Sequence, residues 1–185
     1  MTRYSLNAID AESIRNLTRR SAVPSDQVRD EAMRIVRAVR DGGDRALIDA
    51  NRRFGGGLLD GRLRVSEIEM KAALASLPSD LISALETAID NIRLCHDVQR
   101  PTDVSTEVSA GVNVHRRWAP ISRAGAYVPG GQAVYPSSLL MTVIPAVVAG
   151  VSSVAVMSPA DQSGAVSPAL LGAAALAGVQ DLYVA

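Results

Sequence analysis

The stretch with the most chemical character runs from Arg123 to Gly150, RAGAYVPGGQAVYPSSLLMTVIPAVVAG. Tyr127 stands just before a Pro-Gly-Gly turn, where its ring can lie along a flat ligand and its hydroxyl can donate a hydrogen bond. Gly130 and Gly131 allow a tight or positive-φ backbone and the close approach of a ligand. These residues predict a ligand-binding turn, and they also suit the alternative of a structural turn with a buried tyrosine.

The helix predicted after this turn adds a possible anion site. It runs from about Ser138 to Ala149, with Ser137 or Ser138 as the predicted N-cap. The first N–H groups of a helix attract anions such as phosphate. Because the turn follows a short apolar strand and opens a helix, it has the position at which doubly wound folds bind ligands. The turn is not a G-x-G-x-x-G fingerprint.

Other residue types that commonly carry chemistry are few and scattered. His96, near the end of a long helix, and His115, in an alternating strand, are interpreted as structural. Cys95 falls on the apolar stripe of the same helix and is predicted to be a small core residue. Neither histidine has a Cys, His or carboxylate neighbour at ligand spacing. The sequence therefore predicts no metal ligand and no catalytic residue within this chain.

The first hundred residues have the pattern of helices. Apolar residues recur at helical spacing between Ser25, a predicted N-cap, and a stop at Gly42-Gly43. The letters SEIE at residues 66–69 have the form of a capping box. Pro78 ends that helix, and a longer one with an apolar stripe follows.

The pattern changes after RPTDV, residues 100–104. A hairpin or two short strands come first, with Gly111 as turn material. Short apolar strands then alternate with helices, and the second of these helices starts at Ser167-Pro168. Such strands suit a parallel sheet covered on both faces. We therefore predict an α/β fold, with an N-terminal helical segment over residues 1–103. An incomplete doubly wound (Rossmann-like) parallel sheet, truncated at its C-terminal end, follows over residues 104–185.

Bulk properties exclude several classes of function. The 185 residues include 19 basic and 19 acidic side chains, and only 3% are aromatic, which argues against a nucleic-acid partner. No signal peptide or bilayer-length apolar run is present, so we expect a cytoplasmic protein with no membrane partner. The last strand, DLYVA, breaks off without a turn, and a three-stranded sheet would leave an apolar edge exposed. We therefore expect a piece of a larger protein.

Several stretches resemble one family, the histidinol dehydrogenases. GAYVPGGQAVYPSSLLMTVIPAVVAGV, residues 125–151, resembles that family's G-x-Y-[VI]-P-G-G turn and the helix after it. The resemblance continues, in order, in VRDGGDRALIDANRRFGG, IDNIRLCHDVQRP, VHRRWAPISRAGAYVPGG and LAGVQDLYVA. It implies a zinc-containing homodimer that uses NAD to oxidise L-histidinol to L-histidine through the aldehyde, the last step of histidine biosynthesis. It also implies that Tyr127 contacts NAD, with Gly130 and Gly131 as close-approach backbone.

The family's pattern extends beyond this sequence. Its other NAD contacts, including a Gln in a GGAQA run, come just after the position of Ala185. Its zinc ligands and its Glu-His proton-transfer pair come later still. The resemblance thus implies an N-terminal fragment that is inactive alone. The alternative is a short, non-catalytic module that binds a nucleotide or a partner protein.

Overall fold

The chain comprises two compact units, residues 1–43 and residues 44–185. A computed structural model describes Asp10, Ile14 and residues 26–130 and 134–184. In that part of the chain, no helix is both long and apolar enough to cross a membrane.

Helix α1 spans Asp26–Phe54 and is interrupted at Gly43, where φ is 58° and ψ is −144°. Glycine reaches this backbone conformation without a steric penalty, which explains why the predicted stop falls here. The predicted N-cap Ser25 lies outside the described residues. The part of α1 before the break belongs to the first compact unit, and the part after it belongs to the second.

Two further helices follow, α2 at Glu67–Ala75 and α3 at Ser79–Asp97. The N-cap of α2 is Ser66, whose hydroxyl accepts a hydrogen bond from the Glu69 N–H at 3.2 Å. The Glu69 carboxylate accepts the Ser66 N–H at 2.8 Å in return. The predicted capping box is therefore confirmed, and it satisfies two backbone donors at once.

The prediction that Cys95 is a core residue is wrong, because its side chain is exposed. The buried face of α3 passes through Leu85 and Ile89 and continues through the half-buried Ile92 and His96. From Ile92 the buried face continues four residues on, at His96, and not three residues on, at Cys95. His96 therefore faces the protein and Cys95 faces solvent.

An antiparallel hairpin follows the helices, with β2 at Val104–Ser109 and β3 at Val112–Arg116. Gly111 lies in its turn with φ 79°, as the sequence predicted. All residues of both strands are exposed.

The main sheet and its connecting helices are built from β1 at Arg64–Val65, β4 at Arg123–Tyr127, α4 at Pro136–Val148, β5 at Ser153–Ser158, α5 at Pro168–Leu176 and β6 at Asp181–Val184. The four strands lie in the order β1-β6-β5-β4. The last three are parallel to one another, and helices connect them, so the predicted α/β fold is confirmed.

The sheet has a fourth strand, β1, which the sequence did not predict and which covers the edge of β6, whereas β4 has no further neighbour in the described sheet. β1 pairs antiparallel with β6, with Val65 opposite Leu182 and Arg64 opposite Tyr183. The Val184 N–H continues this ladder by donating to the Leu63 carbonyl at 2.7 Å. A two-residue strand has no measurable periodicity, and its partner lies more than a hundred residues away, so no local pattern predicted it.

The parallel strands bury one face more fully than the other. Val128, Val156 and Leu182 are buried in one core cluster with residues of α4 and α5. The opposite row includes the exposed side chains of Tyr127 and Met157. The expectation of cover on both faces therefore does not hold for the described residues. The reason is topological: from β4 through β5 to β6 the strands advance in one direction, and right-handed crossovers then place both helices on the same face.

Candidate functional site

The candidate site lies at the carboxyl end of β4. Tyr127 is the last residue of this strand, and its neighbour Val128 still donates its N–H to the Met157 carbonyl at 2.8 Å. Because side chains alternate along a strand, the buried Val128 faces the helices and Tyr127 faces the opposite side. The Tyr127 side chain is 61% exposed. This exposure contradicts the alternative of a structural turn around a buried tyrosine.

Gly130 approaches protein rather than open space. A Cβ atom built on Gly130 would lie 2.8 Å from the Pro159 Cγ and 2.9 Å from the Pro159 carbonyl oxygen. Its φ is not positive, so the residue is required by space and not by backbone conformation. The neighbour at this position is thus the loop after β5, and the predicted approach of a ligand stays a prediction. Gly131 lies outside the described residues.

The capping prediction for the following helix is wrong. Helix α4 begins at Pro136, and its N-cap is Tyr135, whose side chain makes no capping hydrogen bond. Ser137 and Ser138 therefore lie inside the first turn. Proline is favoured at the first helical position because its φ is preset and its missing N–H leaves no donor unpaired, which starts the helix two residues earlier than predicted.

Tyr127 belongs to a row of side chains across the sheet. It lies opposite Met157 on β5, and Met157 lies opposite Tyr183 on β6. Residues that are opposite in register share a face of the sheet. The row therefore presents two tyrosines and a methionine on the less buried face, at the carboxyl ends of three parallel strands. Open parallel sheets bind ligands at this edge.

A cleft of about 530 Å³ lies near the same edge. The chain segment from Gly55 to Arg62 forms one wall, and the loop from Ala160 to Gly164 forms the other. The Ala160 N–H donates to the Gly56 carbonyl at 2.6 Å, which ties the two walls together. Neither Tyr127 nor Gly130 lines the cleft. The loop after β5 separates the two features, with Pro159 against Gly130 and Ala160 in the cleft wall.

The carboxylates beside this cleft are engaged in local structure. The Arg62 guanidinium, followed by the Ser66 hydroxyl and N–H, lowers the pKa of Glu69 to about 2. The same Arg62 hydrogen-bonds Asp60 and holds the pKa of that carboxyl below its usual range. A general base that works near neutral pH needs a pKa close to 7. Both groups therefore stabilise the turn and the helix start rather than transfer protons.

The carboxylate in the loop after β5 is also engaged in local hydrogen bonds. The Asp161 carboxylate accepts hydrogen bonds from the Ser163 hydroxyl at 2.6 Å and the Ala165 N–H at 3.2 Å. These bonds, the hydroxyl first, lower the pKa of Asp161. This pattern is typical of an Asp that organises a turn.

The histidines do not converge on the candidate site. The Nδ1 of His96 lies 3.2 Å from the Gln99 Oε1 at the end of α3, and His115 is exposed on β3. Within residues 26–130 and 134–184, no group of three or more His, Cys, Asp or Glu side chains is placed to hold a metal ion.

Sequence reasoning missed two residues near the sheet edge. Ser158 is the last residue of β5, and its hydroxyl is fully buried without a hydrogen-bond partner in the described part of the chain. Asn51 on α1 donates from its carboxamide to the carbonyl of Val184, the last residue of β6. A serine that ends an apolar strand and an asparagine within a helix carry no local signal of such roles. They emerge only from the packing of distant segments.

The chain is similar to known proteins over most of its length. The family model for histidinol dehydrogenase matches residues 18–185. A histidinol dehydrogenase from Parasynechococcus marenigrum (strain WH8102) is 43% identical over 167 residues, which are 90% of this chain and 38% of that relative. The histidinol dehydrogenase of Mycobacterium tuberculosis (strain ATCC 25618 / H37Rv) is 38% identical over 187 residues, 99% of this chain and 42% of the relative.

A solved structure has the same fold. The crystal structure of histidinol dehydrogenase from Elizabethkingia anophelis matches with a TM-score of 0.82 at 32% identity, over 95% of this chain and 40% of that one. The chain thus spans about two fifths of the length of the relatives it matches. The resemblance in the sequence is confirmed by the family model, the relatives and the fold together. The chain belongs to the histidinol dehydrogenase family.

Proposed function

We propose that this chain supplies part of the NAD site of a histidinol dehydrogenase, an oxidoreductase that converts L-histidinol to L-histidine through the aldehyde. One observation carries the proposal: in a chain of this family, Tyr127 is exposed at the carboxyl end of β4, the outermost of three parallel strands. This is the edge at which open α/β sheets bind dinucleotides.

The residues of the turn suit a dinucleotide. The exposed ring of Tyr127 offers an aromatic face and a hydroxyl to a planar heterocycle. Gly130 keeps the turn after β4 close to Pro159 and adds no side chain at this place. Helix α4 begins without a side-chain cap, and the positive end of its dipole favours a phosphate group. When bound, NAD supplies the hydride acceptor, and this chain binds and orients it.

The described residues do not fit a zinc site, since no metal-ligating group is assembled among them. The family resemblance places the zinc ligands and the proton-transfer pair after the position of Ala185. On that ground we propose that the 185-residue chain alone does not oxidise L-histidinol. Appreciable NADH formation by the purified chain with L-histidinol, NAD and zinc would contradict this.

Calorimetric titration of the 185-residue chain with NAD tests the cofactor proposal. Tyr127→Ala is expected to weaken binding about two- to twelvefold, the effect of losing about 0.5–1.5 kcal/mol of aromatic contact. Tyr127→Phe keeps the ring and is expected to retain most of the affinity. Trp118→Ala is the control, because Trp118 is 54% exposed but precedes β4 at the opposite end of the strand. Equal affinities for the wild type and Tyr127→Ala would exclude Tyr127 as a contact.

The remaining predictions concern assembly, location and domain organisation. β4 is the outer strand of the described sheet, and an open strand edge favours assembly with another chain, which supports a homodimer. Sedimentation velocity of the full-length protein would measure its assembly state.

Cytoplasmic location and a domain boundary between residues 103 and 104 stay predictions from the sequence. Family membership favours the enzyme over the alternative of a non-catalytic nucleotide- or partner-binding module.

A further inference from the structure

A single side chain of α1 reaches the end of the last strand. The Asn51 Nδ2 donates a hydrogen bond to the Val184 carbonyl oxygen at 3.2 Å, across 133 positions of sequence, in a partly buried setting. Val184 is the last residue of β6 and lies at the carboxyl edge of the parallel sheet. The bond therefore connects the helical part of the second compact unit to the edge that carries Tyr127.

The chain segment from Asn51 to Leu63 also accepts hydrogen bonds from the backbone at the sheet edge. The Val184 N–H donates to the Leu63 carbonyl at 2.7 Å, and the Ala160 N–H donates to the Gly56 carbonyl at 2.6 Å. Both backbone polar groups of Val184 are thus bonded to residues between Asn51 and Leu63. The carboxamide of Asn51 supplies the bond that the β1–β6 ladder does not.

Gly57 leaves the space in which this carboxamide sits. A Cβ built on Gly57 would lie 2.8 Å from both the Cβ and the Nδ2 of Asn51. Gly57 does not have a positive φ, so its backbone conformation does not demand glycine. Glycine is required at position 57 because the side chain of Asn51 occupies the space that a Cβ would need. Asparagine is also a weaker helix former than alanine, so its place within α1 is explained by the bond rather than by helix propensity.

We propose that Asn51 is a positioning residue, which fixes the carboxyl end of β6 so that the sheet edge keeps the shape in which it binds cofactor. The link to cofactor rests on the proposed function, whereas the effect on β6 does not. Loss of the carboxamide donor leaves the Val184 carbonyl unpaired in a partly buried place, and the end of β6 then opens more often.

Hydrogen exchange of the 185-residue chain, read by mass spectrometry on a peptide covering residues 179–185, measures this opening. Asn51→Asp preserves the shape but loses the donor, and Asn51→Ala loses both. Each is expected to speed exchange at the Val184 amide about three- to tenfold, the effect of losing one hydrogen bond. Gly57→Ala displaces the carboxamide and is expected to act on the same peptide. Asn91→Asp, on the exposed face of α3, is the matched control and is expected to leave that peptide unchanged.

The pH profile separates a lost donor from a lost shape. The carboxyl group that Asn51→Asp introduces regains an O–H donor when it is protonated and can then donate to the Val184 carbonyl oxygen. The exchange defect of Asn51→Asp, corrected for intrinsic rates, is therefore expected to shrink between pH 7 and about pH 4. The defect of Asn51→Ala is expected to stay constant. Wild-type exchange in Asn51→Asp at pH 7, or defects that follow the same pH profile in both variants, would overturn the proposal.

NAD titration of the same variants tests the link to the cofactor. If the wild-type chain binds NAD, Asn51→Asp is expected to weaken binding about threefold or more at pH 7. Unchanged affinity together with faster exchange would overturn that link. Failure of the wild-type chain to bind NAD would count against the proposed function instead. The exchange data would still decide whether Asn51 holds the end of β6.

Discussion

Gly130 and Pro159 lie in direct contact, and they join the turn after β4 to the loop after β5. A Cβ on Gly130 would come within 2.8 Å of the Pro159 Cγ and 2.9 Å of its carbonyl oxygen. The proline ring has little freedom to yield, and the carbonyl belongs to the backbone. The two turns at the carboxyl edge of the sheet therefore keep their spacing because one of them lacks a side chain.

Gly130→Ala is expected to lower the free energy of unfolding by about 1–3 kcal/mol, the usual effect of forcing a methyl group into a packed contact. Urea denaturation of the 185-residue chain measures this. Gly125→Ala is the control, because a Cβ at Gly125 would meet no atom within 4 Å. It is expected to be neutral or slightly stabilising. Equal stabilities for the two variants would show that the turns can separate without penalty.

The sequence predicted the features whose causes are local. Ser66 and Glu69 are three residues apart, so the capping box needs no information from the rest of the chain. Gly111 in the hairpin turn and Pro168 at the first position of α5 are local in the same sense. The alternation of apolar strands with helices was enough for the α/β class.

Features that depend on distant packing could not be predicted. β1 has two residues and becomes a strand only because β6 offers its edge. The sequence predicted that a ligand approaches Gly130, and nothing local to Gly130 indicated that Pro159 is its neighbour in the fold. The prediction for Cys95 was wrong because apolar stripes on helices recur every three or four residues. Counted from Ile92, that spacing fits both Cys95 and His96 as the next residue that faces the protein. The sequence therefore predicted the turn of the candidate site, whereas the residues that pack around this turn could be identified only from the fold.

The ion pair between Arg62 and Glu69 makes part of the free energy of unfolding depend on pH. The Arg62 Nη2 lies 2.9 Å from the Glu69 Oε1, and the Glu69 pKa falls from about 4.5 to about 2 on folding. A carboxylate with a lowered folded-state pKa stabilises the protein above its unfolded pKa. That contribution is lost as the pH falls from about 5 towards 2. Both side chains are partly exposed, so its size at pH 7 is about 1 kcal/mol.

Glu69→Ala is therefore expected to be about 1 kcal/mol less stable than wild type at pH 7, and the difference is expected to narrow towards pH 2. Urea denaturation at several pH values measures it. Glu67→Ala is the control, since Glu67 makes a looser, exposed pair with Lys71 at 3.4 Å and is expected to change stability by about 0.5 kcal/mol or less. A Glu69→Ala deficit that grew on acidification would contradict the assignment.

The Ser158 hydroxyl is buried at the end of β5 with no hydrogen-bond partner in the described part of the chain. A buried hydroxyl without a partner loses its hydration and gains nothing in return. Ser158→Ala is therefore expected to leave the free energy of unfolding unchanged or to raise it by up to about 1 kcal/mol. Ser66→Ala, which removes a bonded capping hydroxyl, is expected to lower it by about 1 kcal/mol. A loss of stability in Ser158→Ala comparable to that in Ser66→Ala would show that the buried hydroxyl has a partner.

Gly172 sets the contact between α5 and the end of α2, and here helix propensity and packing predict opposite signs. Propensity alone favours Gly172→Ala by about 1 kcal/mol. However, the new Cβ would lie 2.5 Å from the Leu77 Cδ1 and 3.3 Å from the Leu74 Cα, and the second of these atoms is backbone. Packing is expected to dominate, with a net loss of about 1–2 kcal/mol. In the double variant Gly172→Ala, Leu77→Ala, the isopropyl group that Leu77→Ala removes leaves room for the new methyl group, so the two losses are expected to be less than additive. A higher melting temperature for Gly172→Ala alone would show that the two helices can move apart at little cost.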